Sequence, residues 1–277
     1  MVEIYYKQHN EIINLNYLYY ETTDLYVATY KINRAIETIR KVIYSVDTPK
    51  TLMVDACILL ANIFSSENNN DEAFSYYKKA LESLDEETND ETRAELYFKY
   101  ALVNDEKDDE ALAFEYYTKC IALNYNNAYK ALAYSNMASC YYDNENYSEA
   151  KDCFIKAYKL EKEANNYEGI YYSASYLAKI FIKEKSKKAL SLLKEAKQCA
   201  EFINEDFCIL EAAIALGDYY YNSVALNKDA LIEYFKARRI AQTLESTVDI
   251  SMIERRIDDM KLRMDKEVFK EIENKYG

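Results

Sequence analysis

The sequence predicts an all-α fold, an α-solenoid of stacked antiparallel helix pairs with a C-terminal capping helix. Three observations carry this. The 277 residues include only three Gly and one Pro, where ordinary usage would supply roughly 20 Gly and 14 Pro. Sheet hairpins and phosphate-cradling loops both draw on such turn residues. Second, one spacing of a small residue, a large one and a small one recurs. It falls at Ala73, Tyr77, Ala80; Ala113, Tyr117, Cys120; Ala150, Phe154, Ala157; Ala189, Leu193, Ala196; and Ala230, Tyr234, Ala237. A weaker copy lies at Ala35, Ile39, Val42, and successive copies are 37–41 residues apart. Third, each strong copy follows a different pattern with i, i+3, i+4, i+7 spacing, which is one face of a helix. Its members begin at Cys57, Tyr97, Tyr134, Ala174 and Ala213. A helix pair of this size cannot bury its apolar seam alone, and stacking pairs buries it continuously.

The elements follow in order. Residues 3–20, rich in Tyr and Ile, read as a first helix, with a strand at 2–6 as the alternative. Residues 24–46 read as its partner, from Leu25, Ala28, Ile32, Ala35, Ile36, Ile39 and Val42 on one face. Pro49 stops that helix, and 1–53 form the divergent first pair. Five pairs fill 54–245. Their turns, such as Glu67-Asn68-Asn69-Asn70-Asp71 and Asp143-Asn144-Glu145-Asn146, use Asn and Asp, which cap helices and tolerate unusual dihedrals. Residues 249–275 read as one final helix with Ile250, Ile253, Ile257, Met260, Met264, Val268 and Ile272 aligned. It either caps the last pair or pairs with a second chain. The whole of 1–277 reads as one domain.

These units resemble the tetratricopeptide repeat family, whose motif is W-x-x-L-G-x-x-Y followed by A-x-x-x-F-x-x-A-x-x-x-x-P. Leu216-Gly217-Asp218-Tyr219-Tyr220 reproduces the L-G-x-x-Y part. The Trp position holds Cys, Tyr or Ala, the terminal Pro is missing, and the period exceeds the common 34 residues. The resemblance implies a right-handed superhelix whose first (A) helices line a concave groove. It also implies a non-catalytic scaffold or adaptor that binds a peptide or protein partner there.

With the first packing residue of each A helix as origin, positions two before, two after and five after point away from the packing seam, at about 100° per residue. From these positions come the candidate contacts Asn62, Lys99, Asn136, Tyr172, Tyr176, Lys179 and Asp218, with Tyr221 added. Tyr suits such a surface because its ring is rigid and its tip polar. Some members of the family grip a C-terminal carboxylate with Lys, Arg and Asn. Asn62, Lys99 and Asn136 superficially match that set, but Ile58 and Phe98 stand where a base is wanted, so that binding is not expected.

His9 is the single histidine, which removes a histidine triad or multi-histidine metal site from one chain. Asp105-Glu106-Lys107-Asp108-Asp109-Glu110 lacks the central Gly of a calcium loop and reads as a turn plus the acidic start of a helix. No catalytic residue, metal or cofactor is expected. The six cysteines show no C-x-x-C or zinc spacing and read as reduced thiols of a cytoplasmic protein. No 18-residue apolar run is present, so membrane insertion is not expected, nor is a secretory signal.

The net charge of −13 argues against nucleic acid as the main ligand. It is unevenly spread. Glu82 to Glu115 holds 13 acids and three bases; Lys179 to Lys197 holds seven Lys and two Glu. These are solvated surfaces, or an acidic edge that speeds encounter with a basic partner. The chain is expected to be a monomer or homodimer. Two other readings stand beside the adaptor: a peptide-sensing or response-regulator-binding regulatory protein, and a self-associating assembly factor.

Overall fold

The computed structural model describes residues 12–28, 31–123, 127–222 and 227–277. His9 and the alternative strand at 2–6 lie outside the described residues. The chain divides into two compact units, Met1–Ala133 and Tyr134–Gly277. The first holds α1 (Ile12–Ala28), α2 (Ile32–Ile43), α3 (Lys50–Ser66), α4 (Asn70–Ser83), α5 (Asp90–Asp105), α6 (Glu110–Ala122) and the start of α7 (Asn127–Asp143). The second holds the rest of α7, then α8 (Tyr147–Ala164), α9 (Tyr167–Lys183), α10 (Lys188–Ile203), α11 (Asp206–Tyr221), α12 (Asn227–Thr243), α13 (Thr247–Arg263) and α14 (Lys266–Tyr276). Within each unit consecutive helices pack as antiparallel pairs.

The repeated small–large–small residues form the seam. Each of the residues named for the six copies is at most 3% exposed. Small side chains let two backbones approach, and the large one fills the space beside them. Gly217 marks the tightest crossing. A Cβ there would lie 2.8 Å from Cε1 of Tyr234, a fully buried ring, so the glycine is set by packing against α12.

The turns work without glycine. Asn68, Asp108, Glu145, Asn165, Lys185, Asn204 and Glu245 take left-handed φ values of 53–61°, each between two helices. Asn and Asp visit this region most readily, and the neighbouring polar residues close the helix ends. The side chains of Asn69, Asn89, Asp109 and Asn166 each accept a backbone N–H of the following first turn. The acidic stretch 105–110 is the turn from α5 into α6, as its composition suggested.

Two expectations are corrected. The first helix runs on to Ala28 and its partner starts at Ile32, rather than at 24. Apolar periodicity continues through 24–46, and no Gly or Pro marks the turn, so the break is invisible to pattern. Lys31 N–H bonds the Tyr26 carbonyl at 2.8 Å while its own carbonyl takes the Ala35 N–H, which starts the new helix. The final helix expected over 249–275 is two helices. Met264 is extended (φ −93°, ψ 157°), and Asp265 accepts N–H groups from Glu267 and Val268 at 2.9 and 3.2 Å. That cap lets α14 fold back, so that Phe269 meets Phe235 edge-on with ring centroids 6.2 Å apart.

Glu161 is a buried acid that no pattern announced. It is 3% exposed, and its carboxylate lies over Gly169, where any Cβ would collide with it. Burial holds its pKa above the ordinary glutamate value, against a hydrogen bond from Asn166 that lowers it. The folded chain therefore disfavours the ionised form relative to the unfolded chain. Stability falls as pH rises through this range. Glu161→Gln should raise the melting temperature at pH 7, and the gain should vanish as the pH drops below the glutamate range. An unchanged or lowered melting temperature at pH 7 would contradict this.

Candidate functional site

In the first unit the A-helix face is largely committed to the fold. Asn62 accepts the Tyr77 hydroxyl at 2.6 Å and donates to Glu95 at 3.2 Å. Lys99 is half-buried on α5. Asp55 takes the Thr92 hydroxyl at 3.5 Å. Its pKa is raised by burial, with Glu95 adding repulsion. Ile58 and Phe98, where a carboxylate clamp would need bases, are core residues only 4% and 6% exposed.

The second unit repeats the Asn62–Tyr77 arrangement at Asp218. This carboxylate accepts the Tyr234 hydroxyl at 2.5 Å and meets Arg256 at 3.3 Å. In these two pairs the A-helix residue five beyond the origin anchors the seam tyrosine, whereas the Tyr117 pair has Leu102 at that place. Where the seam residue is Phe154 or Leu193 there is no hydroxyl to hold, and the A-helix residue turns elsewhere. Ser139 bonds Tyr172 at 3.1 Å, and Lys179 lies 4.5 Å above the Tyr176 ring.

Tyr172 and Tyr176 belong to an aromatic cluster. Tyr176 stacks on buried Phe154 at 4.9 Å, meets Tyr142 edge-on at 5.1 Å and touches Tyr172 at 4.9 Å. Burial pushes the Tyr172 hydroxyl up to about 12, so at neutral pH it remains a donor. Tyr221 sits apart from this cluster. Its hydroxyl donates to Asp259, and the guanidinium groups of Arg256 and Arg263 each lie 5.2 Å from its ring. That contact fastens α11 to α13. Asn136 is half-buried on α7.

Between α9, α11 and α13 lies a cleft of about 680 Å³, within the range of small-ligand and peptide sites. Leu193 and Ala196 from α10 line its floor; Ile182, Ile214, Ala215 and Met252 give apolar walls. Lys179, Lys185 and Lys187 supply positive charge, and Glu211, Asp218 and Asp249 supply negative charge. Of the eight sequence candidates, Lys179 and Asp218 line this cleft. Sequence reasoning missed Asp249 and Met252 because 249–275 was read as a cap, whereas α13 takes the A-helix place of a further pair. It missed Lys185 and Lys187 because they belong to a turn.

Residues 56–92 match one tetratricopeptide repeat model, and residues 94–127 and 131–163 match a second. Residues 56–163 carry tetratricopeptide repeats. The matched segments fall on α3–α8, and the same seam continues through α9–α12, beyond them. The apo form of RapI superposes with a TM-score of 0.68 at 20% identity, over 87% of this chain and 68% of that one. BtubC (BKLC) from P. vanneervenii gives 0.63 at 17% identity, over 81% and 92%. A Rap protein complexed with Competence and Sporulation Factor gives 0.54 at 17% identity, over 90% and 75%. At these identities the likeness concerns the fold. No curated protein sequence matches. With these repeats the chain is an interaction scaffold in the broad sense.

Proposed function

We propose that this repeat protein is a non-catalytic adaptor that takes a peptide segment of a partner protein in the α9–α11–α13 cleft. The cleft carries the reading. It joins an apolar floor, able to accept one or two side chains, to lysines and carboxylates that fix the direction of a backbone and its charged neighbours. The Tyr172–Tyr176 cluster on α9 extends this surface with rigid rings of low ordering cost. Lys99, Asn136, Tyr172, Tyr176, Lys179 and Asp218 remain proposed contacts; Asn62 and Tyr221 also hold the fold through Tyr77 and Asp259. The six cysteines stand as thiols rather than disulfides, which fits a reducing compartment, and no described helix is long and apolar enough to cross a membrane.

The test is Ala215→Phe, which fills the cleft from a half-buried wall position. Partners recovered by affinity purification from the source cell should disappear while the helical circular dichroism is unchanged. A folded variant that keeps every partner would end the proposal. A peptide-sensing regulator is the second reading, favoured by the similarity to a Rap protein complexed with Competence and Sporulation Factor. It requires in addition that a bound peptide change a second interaction of this chain.

A further inference from the structure

Alternating antiparallel helices bring the α8–α9, α10–α11 and α12–α13 turns to one edge of the second unit. This edge carries apolar side chains that the packing leaves in solvent. Phe202, in the last turn of α10, is 68% exposed, and Phe207, in the first turn of α11, is 60% exposed. They flank the Asn204 turn, and Tyr167 at the start of α9 lies against Phe202 with ring centroids 4.0 Å apart. At the next turn Val248, 78% exposed, occupies the place of Phe207, and Leu244, 40% exposed, lies one residue past the place of Phe202. An isolated surface leucine needs no account, but a row of exposed large apolar groups marks an interaction surface. The seam, the cleft and the A-helix face use none of these side chains.

The charges around the row point one way. Glu168, Glu201, Glu205 and Asp206 lie next to or within two residues of the three aromatic residues in the sequence and are exposed. The nearby lysines are already engaged: Lys162 with Glu195 at 2.7 Å, and Lys197 with Glu233. Glu201 has only a long 3.8 Å contact to Lys197. The opposite edge, by contrast, carries Lys183, Lys185, Lys187 and Lys188 around the α9–α10 turn.

We propose that the Tyr167–Phe202–Phe207 edge is a second docking surface, separate from the cleft, for a basic amphipathic helix of a partner protein. Its apolar face would cover the rings while its Lys or Arg residues meet Glu168, Glu201, Glu205 and Asp206. The overall charge of −13 attracts such a segment and works against a second copy of this chain.

The probe is a fluorescent amphipathic helix of leucine and lysine, titrated into the full chain and followed by anisotropy. The wild type should bind it, more weakly as salt rises, and should not bind the same helix with glutamate in place of lysine. Phe202→Ser/Phe207→Ser retains every charge yet should bind roughly tenfold more weakly or worse, because central aromatics dominate such interfaces. Ala215→Phe should bind as wild type, which separates this edge from the cleft. Equal binding by the double variant, or none by the wild type, would overturn the proposal. Self-association of the wild type in sedimentation, abolished by the double variant, would also overturn it and assign the edge to a second copy.

Discussion

Phe154→Ala is expected to lower the unfolding free energy of the second unit by about 3–5 kcal/mol, the cost of emptying a filled aromatic site in a core. Phe154 is fully buried between Ala150 and Ala157. Ala150 and Ala157 on its own helix are too short to fill the space, so a cavity term should persist. The ring also supports Tyr176, stacked on it at 4.9 Å, and Tyr172 at 6.1 Å. Its loss should loosen the aromatic surface proposed to meet the partner. Phe154→Leu is the control, because Leu193 holds the same place in the next pair. It conserves apolar character and much of the volume, so it should cost less than about 1.5 kcal/mol. Urea unfolding gives both values, and near-ultraviolet circular dichroism reports the tyrosine cluster. A cost below about 1 kcal/mol for Phe154→Ala would mean that the seam is not the source of stability claimed for it.

That seam is also what made the fold legible. A period of 37–41 residues reports stacking, because each pair repeats the same close crossing, and Ala73, Ala113, Ala150, Ala189 and Ala230 all proved fully buried. The end of α1 at Ala28, the start of α2 at Ile32 and the break at 264–265 were not legible. All lie inside continuing apolar periodicity, and Met264–Asp265 is decided by one side-chain cap and by packing of Phe269 far along the chain. The site was only partly legible. The rule of positions facing away from the seam gives Tyr172, Tyr176 and Lys179 from helix rotation alone, and they stand as proposed contacts. It could not tell a free polar group from one already bonded. Asn62 and Asp218 hold Tyr77 and Tyr234, which requires knowing which hydroxyl lies opposite. Charge patterning on the cleft adds turn residues, whose placement depends on how neighbouring pairs meet.

Ending the chain before Lys266 should cost about 3–6 kcal/mol. The deleted α14 buries two large apolar side chains, Phe269 at 2% and Ile272 at 7% exposure, each worth roughly 1.5–3 kcal/mol. Phe235, fully buried beneath Phe269, would gain access to water, as would the end of the cluster formed with Ile253, Ile257 and Met260. The truncated chain should melt at lower temperature and scatter light at concentrations where the full chain does not. Phe269→Ala should reproduce most of the loss in stability, since that ring carries the larger share of the contact. The competing role for this segment, pairing with a second chain, has the opposite signature. Truncation would then convert a dimer into a monomer of undiminished melting temperature, because the apolar face removed would have been satisfied between chains rather than within one. The packing of Phe269 on Phe235 inside a single chain favours the cap, and a stable truncated monomer is the result that would remove it.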